Sequence, residues 1–373
     1  MNKYLIKFAV CCAILCVAFS GYRTIFPGDT DTVLAQKTEE SVHLFRIIKA
    51  GKFGFIDNKG NIRIEPKFDQ AEDFSEGLAL VSLNRKKVFI DQTGEIKIAP
   101  KDFEAINGFT NGLARGNVTN RERYNKGYID KSGKIVIDDQ KVGGACEFSE
   151  GLACVTSGKW GFIDTSGHYI IKPQYDEVGY FREGLAPFTV WNNSAASRHK
   201  HGYLDKSGNI AIKPQFDITQ PFSEGLAAVG MKLGDDYQFG FIDKSGTMII
   251  RPQFEWTKSF SEGLVAIKIL GKWGFIDKNG GLIIKAKFDK AEDFSEGLAA
   301  VAVNGRWGYI DKTGKFIVEP KYNEAQSFHY GLAFVKVGSY DANAINDVIG
   351  DIDTNGKWGY INASDVFVWK PTN

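Results

Sequence analysis

The chain repeats one phrase along most of its length. "GKFGFIDNKG" at residues 51–60 returns as "GKWGFIDTSG" at 158–167, "GKWGFIDKNG" at 271–280 and "GRWGYIDKTG" at 305–314. Its second aromatic recurs as Phe55, Phe89, Tyr128, Phe162, Tyr203, Phe241, Phe275, Tyr309 and Tyr360, at spacings of 34, 39, 34, 41, 38, 34, 34 and 51. The base unit is therefore 34 residues, widened in places by insertions. So short a unit cannot bury its own apolar residues, so the copies must cover one another.

The cleanest copy, residues 298–331, reads "LAAVAVNGRWGYIDKTGKFIVEPKYNEAQSFHYG". Three strands are expected in it: an apolar "LAAVAV", then "RWGYID" and "KFIVEP", which alternate. Asp stands first and Gly fourth at the turn between the last two in eight successive copies, from Asp57/Gly60 to Asp311/Gly314. The carboxylate accepts backbone N–H bonds, and glycine takes the left-handed conformation that closes the hairpin. These aspartates read as structural. In Trp273-Gly274-Phe275-Ile276 both strand faces are apolar, so the strand should be covered on both sides. Gly274 is expected to leave a dent for a bulky side chain from a neighbouring sheet.

The longer phrase "KWGFIDKxG…I…PxFdxAxxFseGLAxV" resembles the WG (KWG) repeat family of tandem β-repeat proteins, over residues 44–369. That resemblance implies an all-β architecture and binding rather than a reaction. Copies depart from it: Lys87-Val88 replaces the aromatic–glycine pair in the second, Lys126 precedes Gly127 in the third, and "NASD" at Asn362 ends the ninth hairpin. The connector "PKFDQAEDFSEG" should carry the chain between sheets. On that phase the array holds about nine whole units with no split terminal unit, which favours an open twisted solenoid of three-stranded antiparallel units. A β-propeller is the alternative.

Residues 1–20 pair the lysines of "MNKYLIK" with a 13-residue apolar run and a small-x-small site at Ala18-Phe19-Ser20. The segment reads as a signal peptide, with an uncleaved anchor over residues 4–20 as the alternative, and residues 21–43 read as a linker before a repeat domain at 44–373. Membrane contact is expected only if the leader stays. Three of five cysteines lie in it, leaving Cys146 and Cys154 as buried thiols or a disulfide. A net charge of +1 argues against nucleic acid as partner.

Insertions enter at one point of the repeat, between "LAxV" and "WGFID": residues 117–126, 190–201, 230–238 and 338–357. Loops gathered on one edge suit a binding surface. Trp191, His199 and His201 in the second are candidate binding residues, the indole as a platform for a sugar or protein partner. In the last, Asp351, Asp353 and Asn355 before Gly356 follow the start of a calcium loop, although Asn362 stands where a bidentate glutamate belongs. No nucleophile elbow, phosphate loop or zinc-helix signature occurs. The "FSEG" glutamates recur too often for one active site. The expected function is therefore an exported, non-catalytic scaffold for a protein or glycan at the cell envelope, periplasmic, surface-bound or extracellular, with no cofactor unless calcium. Two alternatives stand: an envelope carbohydrate hydrolase with a repeat-built cleft, favoured by convergent carboxylates, and a calcium-stabilised adhesive module.

Overall fold

The structure, a computed structural model, describes residues 43–119, 125–138, 144–191, 199–234, 236–338, 348–349, 352–353 and 357–371. The leader and all of the linker but His43 lie outside them. Each copy folds into an antiparallel sheet whose strands lie side by side in chain order. In the eighth sheet these are Lys290–Ala291, Leu298–Val303, Arg306–Asp311 and Phe316–Tyr322. Nine such blades follow one another, at residues 45–68, 70–98, 103–138, 144–175, 177–216, 218–254, 256–288, 290–322 and 324–369. Eight have four strands, and blade 1 has three among the described residues.

The chain is thus a nine-bladed β-propeller, and the expectation of an open solenoid of three-stranded units fails on two counts. The extra strand comes from the connector. Its Pro-x-aromatic step ends the fourth strand of one blade, and after a single residue the chain starts the next: Lys290 and Ala291 pair with Ala302 and Val301. Two residues are too few for an alternation to show in sequence. The ring also closes without a split blade. Phe45 of blade 1 meets Tyr360 of blade 9 edge-on, with ring centroids 5.4 Å apart. The Tyr360 hydroxyl donates to the Arg46 carbonyl at 2.9 Å. Leu44, Phe45 and Ile47 share one core cluster with Leu332 and Phe334 across that seam.

The turns behave as their residues demand. Asp311 Oδ1 accepts the N–H groups of Thr313 and Lys315 at 2.9 and 3.1 Å. Gly314 sits at φ +83° and closes the hairpin by donating to the Asp311 carbonyl. In blade 9 Asn362 does the same work for Ser364 and Val366, with Asp365 in the left-handed conformation.

A different turn, between the first and second strands of a blade, ties that blade to the next. In Phe-Ser-Glu-Gly both glutamate and glycine have positive φ, 53° at Glu262 and 84° at Gly263, the geometry of a tight type I′ hairpin. Glu262 accepts the Gly297 N–H of blade 8 at 3.0 Å, and Ser261 Oγ donates to the Phe294 carbonyl there at 2.7 Å. Phe294 in turn packs edge-on against Phe275 of blade 7, centroids 4.9 Å apart. The scaffold role expected for these glutamates is what the structure shows.

The glycine of the aromatic–glycine–aromatic run has another reason than the one expected. A Cβ at Gly274 would lie 2.5 Å from the Ile284 carbonyl and 2.6 Å from the Ala286 nitrogen, both in the fourth strand of its own blade. That strand is bulged and crosses over the glycine towards the next blade. The dent receives backbone of the same sheet, not a side chain from another. Blade 2, with Val88 at this position, pairs its fourth strand only over Ile96–Ile98.

Gly274→Ala should therefore force backbone apart and cost about 1–3 kcal/mol, as overpacking does. Gly271→Ala, at a hairpin tip with open space but φ +74°, should cost about 1–2 kcal/mol through conformation alone. Urea denaturation of the two variants checks both, and a neutral Gly274→Ala would contradict the crossing.

Candidate functional site

All four insertions join the second strand to the third, in blades 3, 5, 6 and 9, so they emerge on one face of the ring as expected. In blade 5 Trp191 pairs with His199 across the hairpin, their rings edge-on at 5.1 Å, and the indole is 51% exposed. His201 lies on the same strand face but is half-buried, with Nδ1 3.1 Å from the Thr189 hydroxyl. Burial holds its pKa below the usual imidazole value. The structure thus brings the three candidates together as a small exposed platform with one inward imidazole. Asp351 and Asn355 lie outside the described residues. The backbone of Asp353 pairs with Val348 in a short hairpin, and its side chain lies outside the description. Among the described residues no group of side chains is arranged to hold a metal.

A more elaborate site lies elsewhere. A cavity of about 530 Å³ runs along the first strands of blades 2 and 3, bounded by blade 1 on one side and by Glu147 of blade 4 on the other. Its charged lining is Arg46, Glu72, Asp73, Lys87 and Glu147. Arg46 occupies the column that holds Ala228, Ala266 and Ala300 in later copies. Its guanidinium reaches the Ala71 carbonyl at 2.6 Å, and Nε lies 3.5 Å from the Asp73 carboxylate. Arg115 repeats the device two blades on, reaching the Ala145 carbonyl and Asn107. Lys87 stands where most copies carry Trp or Phe, so a flexible ammonium replaces a flat ring at the cavity wall.

Glu72 is at the centre of these charges. Its carboxylate accepts the Gly108 N–H at 3.1 Å. Burial pushes its pKa up; the Gly108 bond, Lys87 and Arg46 pull it back, and Glu147 adds to the rise. Sequence reading passed over this constellation. Lys87 was visible as a departure from the repeat, and a column-by-column comparison of copies would also have marked Arg46. That both turn to one cavity is a fact of the ring.

A raised carboxyl pKa means the folded protein favours the protonated form. That stabilisation is complete below the ordinary value of 4.5 and is lost as pH rises through the folded-state value. Glu72→Gln should therefore raise the melting temperature at pH 7 and leave it unchanged at pH 3. The same shift at both pH values would contradict the burial of this group.

The family model for the WG containing repeat matches residues 53–86, 89–115, 160–192, 202–232, 239–273, 273–307 and 307–340. No curated protein matches the sequence. Among solved structures, Hsv2p of Kluyveromyces lactis is similar at TM-score 0.38 and 10% identity, over 72% of this chain and 92% of that one. The biofilm matrix protein Bap1 of V. cholerae is similar at 0.31 and 9%, over 79% of each chain. Puromycin hydrolase is similar at 0.35 and 12%, over 81% of this chain and 60% of that one. Likeness at this level carries no inference about ligand or reaction. The repeat phrase, its recurrence and the blade it builds agree with the family match: this chain belongs to the WG containing repeat family.

Proposed function

We propose that the protein is an exported, non-catalytic binding protein that takes its ligand in the cavity of blades 1–3. One observation carries this reading. In a repeat scaffold the structural residues recur. Arg46 and Lys87 break columns that are apolar in most copies, and both line one cavity, which their blade 3 counterparts Arg115 and Lys126 do not. Export is supported by the leader and by the Cys146–Cys154 disulfide, which ties the residue after the first strand of blade 4 to the second strand. Such bonds persist in oxidising compartments. The Trp191 platform and the insertion face offer a further surface for a protein or glycan partner.

A thermal-shift screen of disaccharides and short peptides tests the reading. A ligand at about a hundred times its Kd adds about 2.7 kcal/mol to stability. Lys87→Trp and Arg46→Ala, which restore the repeat, should abolish the shift while leaving a folded ring. A ligand whose shift survives both variants binds elsewhere.

The hydrolase reading is favoured by one specific feature: Glu72, Asp73 and Glu147 line this cavity together, and burial suits Glu72 to act as a general acid. On that reading any ligand found should be turned over, and Glu72→Gln should stop turnover while retaining binding. A ligand that is bound but never converted leaves the binding role alone.

A further inference from the structure

We infer that the ligand of this cavity is a zwitterion, a short peptide with free ends, its carboxylate on Lys87 and its ammonium on Glu147. The inference rests on the binding role proposed above and names its ligand class. Three copies place a polar residue in the column of the first aromatic: Lys87, Lys126 and His201. Two are satisfied across the strand pair. Lys126 donates to Asn117 at 2.8 Å, and His201 bonds Thr189. Lys87 faces Ser82 in register, and among the described residues its ammonium has neither a hydrogen bond nor an ion pair.

Glu147 is the counterpart, a half-buried carboxylate on the far wall that likewise has no partner among the described residues. The remaining charges have direct contacts: Arg46 is held by Ala71 and Asp73, and Glu72 accepts from Gly108 within the field of Lys87 and Arg46. Two half-buried charges of opposite sign, unpaired and lining one cavity, are best satisfied by a ligand that brings the complement of each. A simple anion would answer Lys87 and leave Glu147 repelled, and a simple cation the reverse. Gln70, Ser82 and Thr110 also line the cavity and can serve peptide amides. The volume, about 530 Å³, falls within the usual range for small-molecule sites of about 300–1,000 Å³.

Isothermal titration of the full chain with Ala-Ala-Ala, its N-acetyl form, its C-terminal amide and the neutral disaccharide N,N′-diacetylchitobiose tests this. The free tripeptide should bind, and each blocked form should lose about tenfold or more, as removing one partner of a buried charge pair does. Glu147→Gln should no longer distinguish the acetylated form, nor Lys87→Met the amide. These ligand-side comparisons on the unaltered protein stand even if a variant misfolds. Equal binding of free and blocked tripeptides would overturn the inference. N,N′-diacetylchitobiose bound in place of the tripeptide, and lost in Lys87→Trp, would overturn the zwitterion while preserving the binding site. No shift with any compound of the wider screen would remove both.

Discussion

The Phe-Ser-Glu-Gly turn is the constraint on which the ring depends. Placing glutamate at positive φ is costly for a residue with a Cβ, yet it recurs at Glu76, Glu150, Glu183, Glu224, Glu262 and Glu296, all between 51° and 54°. What holds it is the next blade. Each carboxylate is fastened to the following glycine N–H, and several are also met by a lysine from the following Asp-x-x-Gly hairpin, as Glu262 is by Lys312 at 3.1 Å. An exposed ion pair of this kind adds little alone. Together with the serine bond and the aromatic contact it fixes the angle at which one sheet meets the next. Six such turns, with Asn111 taking the glutamate's place against the Gly151 N–H in blade 3, set successive blades into the ring.

The closing contact departs from this pattern. In blade 9 Tyr330 takes the place of the glutamate, at φ 52°. It stacks on His43 with ring centroids 3.7 Å apart. A carboxylate-to-backbone bond is thus replaced by two parallel rings, and the seam is finished by Phe45 and by Tyr360 on the Arg46 carbonyl. This seam joins blades distant in sequence, and it combines the ring contacts of His43, Phe45, Tyr330 and Tyr360 with the Tyr360 bond to the Arg46 carbonyl. Burial also holds His43 below the ordinary imidazole pKa.

Blade 1 therefore has two duties. Its backbone at Arg46 closes the ring, and its side chain at the same residue forms one wall of the polar cavity. Asp73 acts on the charges of both regions: it pairs with Arg46 and bears electrostatically on His43 and Tyr360. Site and seam are contiguous, so whatever occupies the cavity touches the blade on which closure depends.

Much of this was written in the chain. Period 34 dictated a repeat array, Asp and Gly at fixed offsets dictated the hairpins, and the single insertion point dictated one loop-bearing face, because each follows from contacts within about thirty residues. The fourth strand did not show, since Gln70–Ala71 and its equivalents outside blade 3 are two residues long and take their pairing from the next copy. Gly274 was legible as necessary but not as a crossing point, because the backbone it admits lies ten residues on and reaches it only through a bulge. Closure was hidden because an open and a closed array share their local contacts and differ at the seam, among residues such as His43, Phe45, Tyr330 and Tyr360. The cavity was hidden for the same reason: Arg46, Lys87 and Glu147 are a hundred residues apart from first to last, and only the angle between blades brings them to one wall.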